Sequence, residues 1–136
     1  MNNNQIKINS KIKKAIQNNK PIVALESTLI SHGLPYPDNI NVANESIKAV
    51  EKSGSIAATI GIINGIIKIG LNKDDIEILA STKNVEKVSL HNIALSLFNK
   101  KNAATTVAAT INIASKIGIN FFCNWRYWWR SFRLRK

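Results

Sequence analysis

Apolar residues in this chain gather into short unbroken runs separated by amphipathic stretches, a pattern that predicts strands alternating with helices. Ile22-Val23-Ala24-Leu25 follows Pro21 and has no polar alternation, as expected of a strand covered on both faces. Ile56 to Ile63 reads as a second buried strand. Asn64-Gly65 then predicts a tight hairpin into Ile66-Ile67-Lys68-Ile69. Val85 to Ser89 reads as a shorter strand, and Ile119 to Phe122 begins one more.

Between the strands the spacing turns helical. Ile12 and Ile16 mark a basic helix over Lys11 to Asn18, with Ser10 as its N-cap. Asn39 or Asn41 caps a helix whose apolar stripe is Val42, Ile47 and Val50, and Gly54 ends it. Asn72 caps another, with Asp74 and Asp75 placed in its first turn to favour the positive end of the helix dipole. His91 to Phe98 reads as a short helix, and Ala103 to Ile117 as a small-residue helix stopped by Gly118. Glu26 to Pro37 reads as a polar loop. The alternation, with one hairpin inserted, predicts a layered α/β domain, and no linker or repeat divides residues 10–120.

Composition narrows the class. At 136 residues and 45% hydrophobic the chain can bury one core. No apolar run reaches the roughly 18–20 residues of a membrane helix. Met1-Asn2-Asn3-Asn4-Gln5 lacks the order of a secretory signal, so a cytoplasmic setting is expected. The single cysteine, Cys123, excludes an internal disulfide and a Cys-rich zinc site. The net charge of +11 would ordinarily suggest an acidic partner. It is unevenly placed, however: residues 1–120 contain no arginine, whereas all four arginines and all three tryptophans lie within 125–136. Two compositions meet near residue 122, and the lysine, asparagine and isoleucine of the first part are the residues of A- and T-rich codons. A nucleic-acid partner is therefore not expected for the domain.

Few residues carry candidate chemistry. Glu26 comes directly after an apolar strand, where α/β sheets collect ligands. A carboxyl held against apolar neighbours can act as a general acid, although turn capping or pairing with a lysine would place a glutamate there equally well. Lys87, within the Val85–Ser89 strand, can meet a phosphate as a point charge or simply face solvent. Thr105-Thr106-Val107 can offer hydroxyls and amides to an anion, or cap a helix. His32 and His91 have neither the spacing nor the neighbouring carboxylates of a metal pair, and Gly61, Gly65 and Gly70 do not form a phosphate loop.

Taken as a string, Val23-Ala24-Leu25-Glu26-Ser27-Thr28-Leu29-Ile30-Ser31-His32-Gly33 followed by Pro35-Tyr36-Pro37 resembles the opening signature of the pseudouridine-5'-phosphate glycosidase family. Ala58 to Gly65, Ile69-Gly70-Leu71, Val85 to Ser89 and Ala104-Thr105-Thr106-Val107-Ala108 continue the resemblance in order, over roughly residues 10–122. The resemblance implies an α/β/α fold, incomplete at its C-terminal side, and a homotrimer. It also implies reversible cleavage of the carbon–carbon glycosidic bond of pseudouridine 5'-phosphate, giving uracil and ribose 5-phosphate. Glu26 would be the proton donor, Lys87 would contact the substrate, and Val107 would line the same pocket. The family's nucleophilic lysine, which forms an imine with the opened sugar, and its metal-binding aspartate match nothing in this chain. Manganese or another divalent cation is thus expected in the complete enzyme, with no metal ligand here. Leu90-His91-Asn92 replaces the family's usual basic-then-acidic pair, and Asn64 replaces a common glycine.

The tail 123–136 departs from the family altogether. Reverse-translating Cys123 to Trp129 as TGC AAC TGG AGG TAT TGG TGG and dropping the first T yields alanine, threonine, glycine, glycine, isoleucine, glycine and the start of another glycine codon. That is the glycine-rich segment expected at this place, so a one-base frameshift is the expected origin of the tail. The chain by itself is then expected to be inactive. Two alternatives stand beside this reading: a tail that stacks on single-stranded nucleic acid or lies at a membrane interface, and a non-catalytic partner of full-length subunits.

Overall fold

The computed structural model describes residues 5–124. Seven strands form one sheet: β1 (Ile6–Ile8), β2 (Ile22–Leu25), β3 (Ile56–Ile63), β4 (Ile66–Ile69), β5 (Glu86–Val88), β6 (Ala103–Thr105) and β7 (Phe121–Cys123). Six helices accompany them: α1 (Ser10–Gln17), α2 (Thr28–His32), α3 (Asp38–Lys52), α4 (Lys73–Ser81), α5 (Ile93–Phe98) and α6 (Val107–Lys116). The sheet is mostly parallel: β1 with β4, β2 with β3, β2 with β7 and β5 with β6 run parallel, whereas β3 pairs antiparallel with β4 and β6. No helix among the described residues is long and apolar enough to cross a membrane.

Successive strand residues point to opposite faces, and each face has its own core. Ala58, Ile60 and Ile62 of β3 pack with Ile12 of α1, Leu97 of α5 and Ile113 of α6. Ile63 of β3 and Ala104 of β6 lie on the other side, with Ile30 of α2, Ala43 of α3 and Leu79 of α4. Helices thus cover both faces, giving the expected α/β/α layering and explaining why β2 and β3 lack polar alternation.

Several local expectations hold. Asn64 and Gly65 both take positive φ (50° and 71°), and Ile63 pairs directly with Ile66, as a two-residue hairpin turn requires. Asn72 caps α4 through a reciprocal box: its side chain accepts the Asp75 N–H at 2.8 Å, and the Asp75 carboxylate accepts the Asn72 N–H at 3.2 Å.

Four expectations are corrected. Asn9 rather than Ser10 caps α1, accepting the Lys11 N–H at 2.9 Å. The polar loop contains a helical turn, α2, anchored by the buried Ile30. Pro37, and neither Asn39 nor Asn41, holds the cap position of α3, whose buried line is Asn39, Ala43 and Ser46 while Val42, Ile47 and Val50 are half-buried. Small residues on that line let α3 pack close to α2, α4 and β3. Finally, Ala103 to Thr105 is a strand and not the start of a helix. Alanine favours helix locally, but β6 is fully buried between β3 and β5, so tertiary pairing decides.

Candidate functional site

The length of β3 creates the site. Ile56 to Thr59 pair with β2, and Gly61 and Ile62 pair with β6 running the opposite way. The carboxyl ends of β2 and β6 consequently meet head-on, and hydrogen bonds close the junction. The Ser27 N–H donates to the Thr105 carbonyl at 3.3 Å, and the Thr105 N–H donates to Ser27 Oγ at 2.9 Å. β5, parallel to β6, and β7, parallel to β2, bring two further carboxyl ends to the same edge.

An open cleft of about 490 Å³ lies where these ends converge, lined by residues that include Glu26, His32, Lys87, Ser89, Val107 and Asn124. All three candidate residues are therefore in one place. Glu26 follows the last residue of β2 and is 8% exposed. Lys87 is exposed on β5, and Val107 is the half-buried first residue of α6.

The threonines behave otherwise than an anion-binding reading suggests. Thr105 is fully buried and its hydroxyl donates to the Ile60 carbonyl at 2.7 Å, so it is not offered to the cleft. Thr106 caps α6, its side chain accepting from the Ala109 N–H at 3.4 Å. That leaves the amides of Val107 and Ala108 without partners inside the helix, at its positive end and on the cleft wall. Asn92, one of the departures from the family pattern, braces the end of β5. Its Oδ1 accepts the Ser89 N–H at 2.8 Å, and its Nδ2 donates to the Lys87 carbonyl at 3.1 Å.

Sequence reasoning assigned no role in the cleft to Ser89, Leu29, Ala108 or Asn124, and considered His32 only as a metal ligand. The available signal was the pair of hydroxyl dipeptides at strand ends, Ser27-Thr28 one residue after the apolar run Ile22 to Leu25 and Thr105-Thr106 directly after Ala103-Ala104. Among the described residues no three His, Cys, Asp or Glu come together as a metal group, and Glu26 is the sole carboxylate lining the cleft. That donor set does not fit a divalent cation. Of the Arg/Trp-rich tail, Cys123 ends β7 opposite Leu25 and Asn124 lines the cleft; residues 125–136 lie outside the described residues.

Comparison with known proteins identifies the family. Residues 11–124 match the family model described as indigoidine synthase A like protein. The pseudouridine-5'-phosphate glycosidase of Staphylococcus aureus is 49% identical over 117 residues, covering 86% of this chain and 38% of that protein. The enzyme of the same name from Escherichia coli is 45% identical over 118 residues, again covering 86% and 38%. Among solved structures, a prealnumycin C-glycosynthase in complex with ribulose 5-phosphate superposes with TM-score 0.79 at 37% identity, covering 89% of this chain and 39% of that one. An indigoidine synthase A-like protein from Thermotoga maritima gives 0.77 at 32%, covering 90% and 40%. The chain spans about two fifths of the length of the relatives it matches. By the family model over most of its length, the chain belongs to the indigoidine synthase A-like family, that of the pseudouridine-5'-phosphate glycosidases.

Proposed function

We propose that this chain carries the proton-donating and phosphate-facing part of a site that cleaves the C-glycosidic bond of pseudouridine 5'-phosphate. The observation behind this reading is the single cleft that holds Glu26, Lys87 and Val107 together. Breaking the bond between the sugar's anomeric carbon and the uracil ring leaves the electron pair on a ring carbon, which must take up a proton. Glu26, nearly buried at a strand end, is the group to deliver it. Lys87 and the amides of Val107 and Ala108 form the positive side of the cleft, suited to the sugar's 5'-phosphate. A structural relative that holds ribulose 5-phosphate supports a five-carbon sugar phosphate as the ligand class. The nucleophile for the anomeric carbon and the ligands of a divalent cation, manganese by resemblance, belong to the part of the relatives this chain does not span.

The family's homotrimer is proposed here as well, in a cytoplasmic setting. Leu95 and Phe98, one turn apart on α5 and 61% and 83% exposed, give an apolar surface on which copies can meet, and light scattering on the purified protein reads the mass.

Ribose 5-phosphate titrated into the 136-residue chain should move the amide resonances of Lys87, Val107 and Ala108. Lys87→Gln should weaken binding about tenfold, the loss of one charge-assisted contact. For turnover, residues 1–122 joined to the remaining part of the Staphylococcus aureus relative should release uracil from pseudouridine 5'-phosphate, and Glu26→Gln in that hybrid should nearly abolish release. Near-normal release by the Glu26→Gln hybrid refutes the donor role, and resonance changes confined to other surfaces refute the phosphate site. The chain alone should release none.

A further inference from the structure

Thr105 has every hydrogen-bonding group in use, and the proton count fixes the direction of each bond. Its one hydroxyl proton goes to the Ile60 carbonyl at 2.7 Å. Its Oγ1 can then only accept, so Thr110 must donate to it at 2.9 Å and Ser27 at 3.3 Å. Ser27 Oγ in turn accepts the Thr105 N–H at 2.9 Å. The Thr105 carbonyl takes the Ser27 N–H at 3.3 Å and the Thr28 hydroxyl at 2.9 Å, using both lone pairs. Ser27, Thr105 and Thr110 are all 0% exposed.

This network sits at one end of the peptide that follows Glu26. The Ser27 N–H bonded to the Thr105 carbonyl belongs to the Glu26–Ser27 peptide group, so Thr105 orients the plane from which the Glu26 side chain departs. On its other side, the Thr106 N–H donates to the Val88 carbonyl at 2.9 Å, directly after Lys87. One two-residue stretch thus ties the peptide after Glu26 to the carbonyl of Val88, the neighbour of Lys87, and to the start of α6. A buried apolar residue would fill position 105 equally well by volume. Three interlocked hydroxyls specify an orientation that apolar packing would leave loose.

We propose that Thr105 is a positioning residue for Glu26, its hydroxyl and peptide groups fixing where the Glu26 carboxyl enters the cleft relative to Lys87 and the first turn of α6. The inference rests on the reading of Glu26 and Lys87 as one working site, but its test uses no substrate. If sugar-phosphate binding fails while the effects below appear, the site reading fails and the positioning stands; the reverse pattern has the reverse meaning.

The test compares Thr105→Val with Thr105→Ser in the whole 136-residue chain, followed by NMR. In Thr105→Val the Glu26 side-chain carboxyl carbon should move toward the resonances of the exposed Glu45 and Glu51. Amide exchange at Ser27 should accelerate about tenfold more than at Ile62 in the core of β3. Thr105→Ser, which keeps the hydroxyl, should restore both. A merely structural role would raise exchange by the same factor at both amides and leave the Glu26 carbon in place, and that result overturns the proposal. So does Thr105→Ser moving Glu26 as far as Thr105→Val does. Should Thr105→Val fail to fold, Ser27→Ala removes two bonds of the network while leaving Thr105 its bond to Ile60. A folded Ser27→Ala with the Glu26 carbon unmoved is equally decisive against the idea.

Discussion

Asn39 offers a sharp test of how the three helices on one face are held together. It lies inside the first turn of α3, 2% exposed, and its Nδ2 donates to the carbonyls of Ile30 in α2 at 2.7 Å and Ala80 in α4 at 3.1 Å. Its Oδ1 accepts the Ile40 N–H at 2.9 Å. Asn39→Ala removes both clamps and leaves two inward carbonyls without partners, at roughly 1–3 kcal/mol for each buried group stranded. We therefore expect a loss of about 2–4 kcal/mol, allowing for partial access of water at Ala80. A helix N-cap replaced by alanine costs about 0.5–2 kcal/mol, so the alanine variant alone separates the two roles poorly. Asn39→Asp separates them. At a cap, aspartate serves as well as asparagine. In the clamp it turns a double donor into an acceptor facing two carbonyl oxygens and should destabilise more than alanine does. Asn41→Ala, on the exposed face, should stay within about 0.5 kcal/mol of the parent. Urea denaturation with an unchanged m-value measures all three. If Asn39→Asp retains the parent's midpoint, the clamp account is wrong.

Other perturbations test separate parts of the fold. Gly65→Ala would place a Cβ 2.6 Å from the Leu97 carbonyl oxygen and 2.7 Å from Lys100 Cα at a φ of +71°; a loss of about 3 kcal/mol or more is expected, and a parent-like urea midpoint would refute it. Asp75→Ala removes both the partner of Lys68 at 2.5 Å and half of the α4 capping box, and should cost roughly 2–3 kcal/mol. Lys11→Ala breaks the exposed pair with Glu51 and should cost about 0–1 kcal/mol, so equal losses in the two variants would contradict the burial argument. The Glu77 carboxylate, by its charge and then by its hydrogen bond, raises the pKa of the Tyr36 phenol above the ordinary tyrosine value. The phenol's contribution to stability is therefore present below that ordinary value and disappears as pH rises through the raised one. Absorbance titration near 295 nm, with Tyr36→Phe to identify the transition, should show it moving down in Glu77→Gln; an unmoved transition would exclude Glu77 as the cause.

Legibility from sequence followed the range of the interaction that decides each element. The Asn64-Gly65 turn and the Asn72 cap are settled within four residues, and both were readable, although the return bond from the Asp75 side chain was not foreseen. β2 was readable because burial on both faces removes polar alternation from the strand itself. β6 was not: three small residues carry no period, and only Ile62 and Gly61 on one side and β5 on the other make Ala103 to Thr105 a strand. The buried face of α3 was misread for a related reason. Its stripe follows close approach to neighbouring helices, which favours Ala43 and Ser46 over the larger Val42 and Ile47. Glu26 could be suspected from its place after β2. Its meeting with Lys87 and Val107 depends on strand order, and only the ordered motifs of the family resemblance pointed there.

Why a cleft should open at this junction follows from how the two strands leave the sheet. β2 is half the length of β3, which leaves the remaining edge of β3 free for β6 to approach from the opposite direction. Neither strand can continue without colliding with the other, so both chains must turn out. β2 turns to α2, whose Ile30 packs in the core of one face, and β6 turns to α6, whose Ile113 packs in the core of the other. Departure to opposite faces parts the layers above the junction, as at the switch point of an open α/β sheet. The opening receives the last side chain of one exit, Glu26, and the first amides of the other, at α6. A carboxyl and the positive end of a helix are thereby set across a gap wide enough for a ligand, while the bonds between Ser27 and Thr105 keep that gap from widening further. The chemistry proposed for Glu26 thus depends on a length mismatch between two strands as much as on the residue itself.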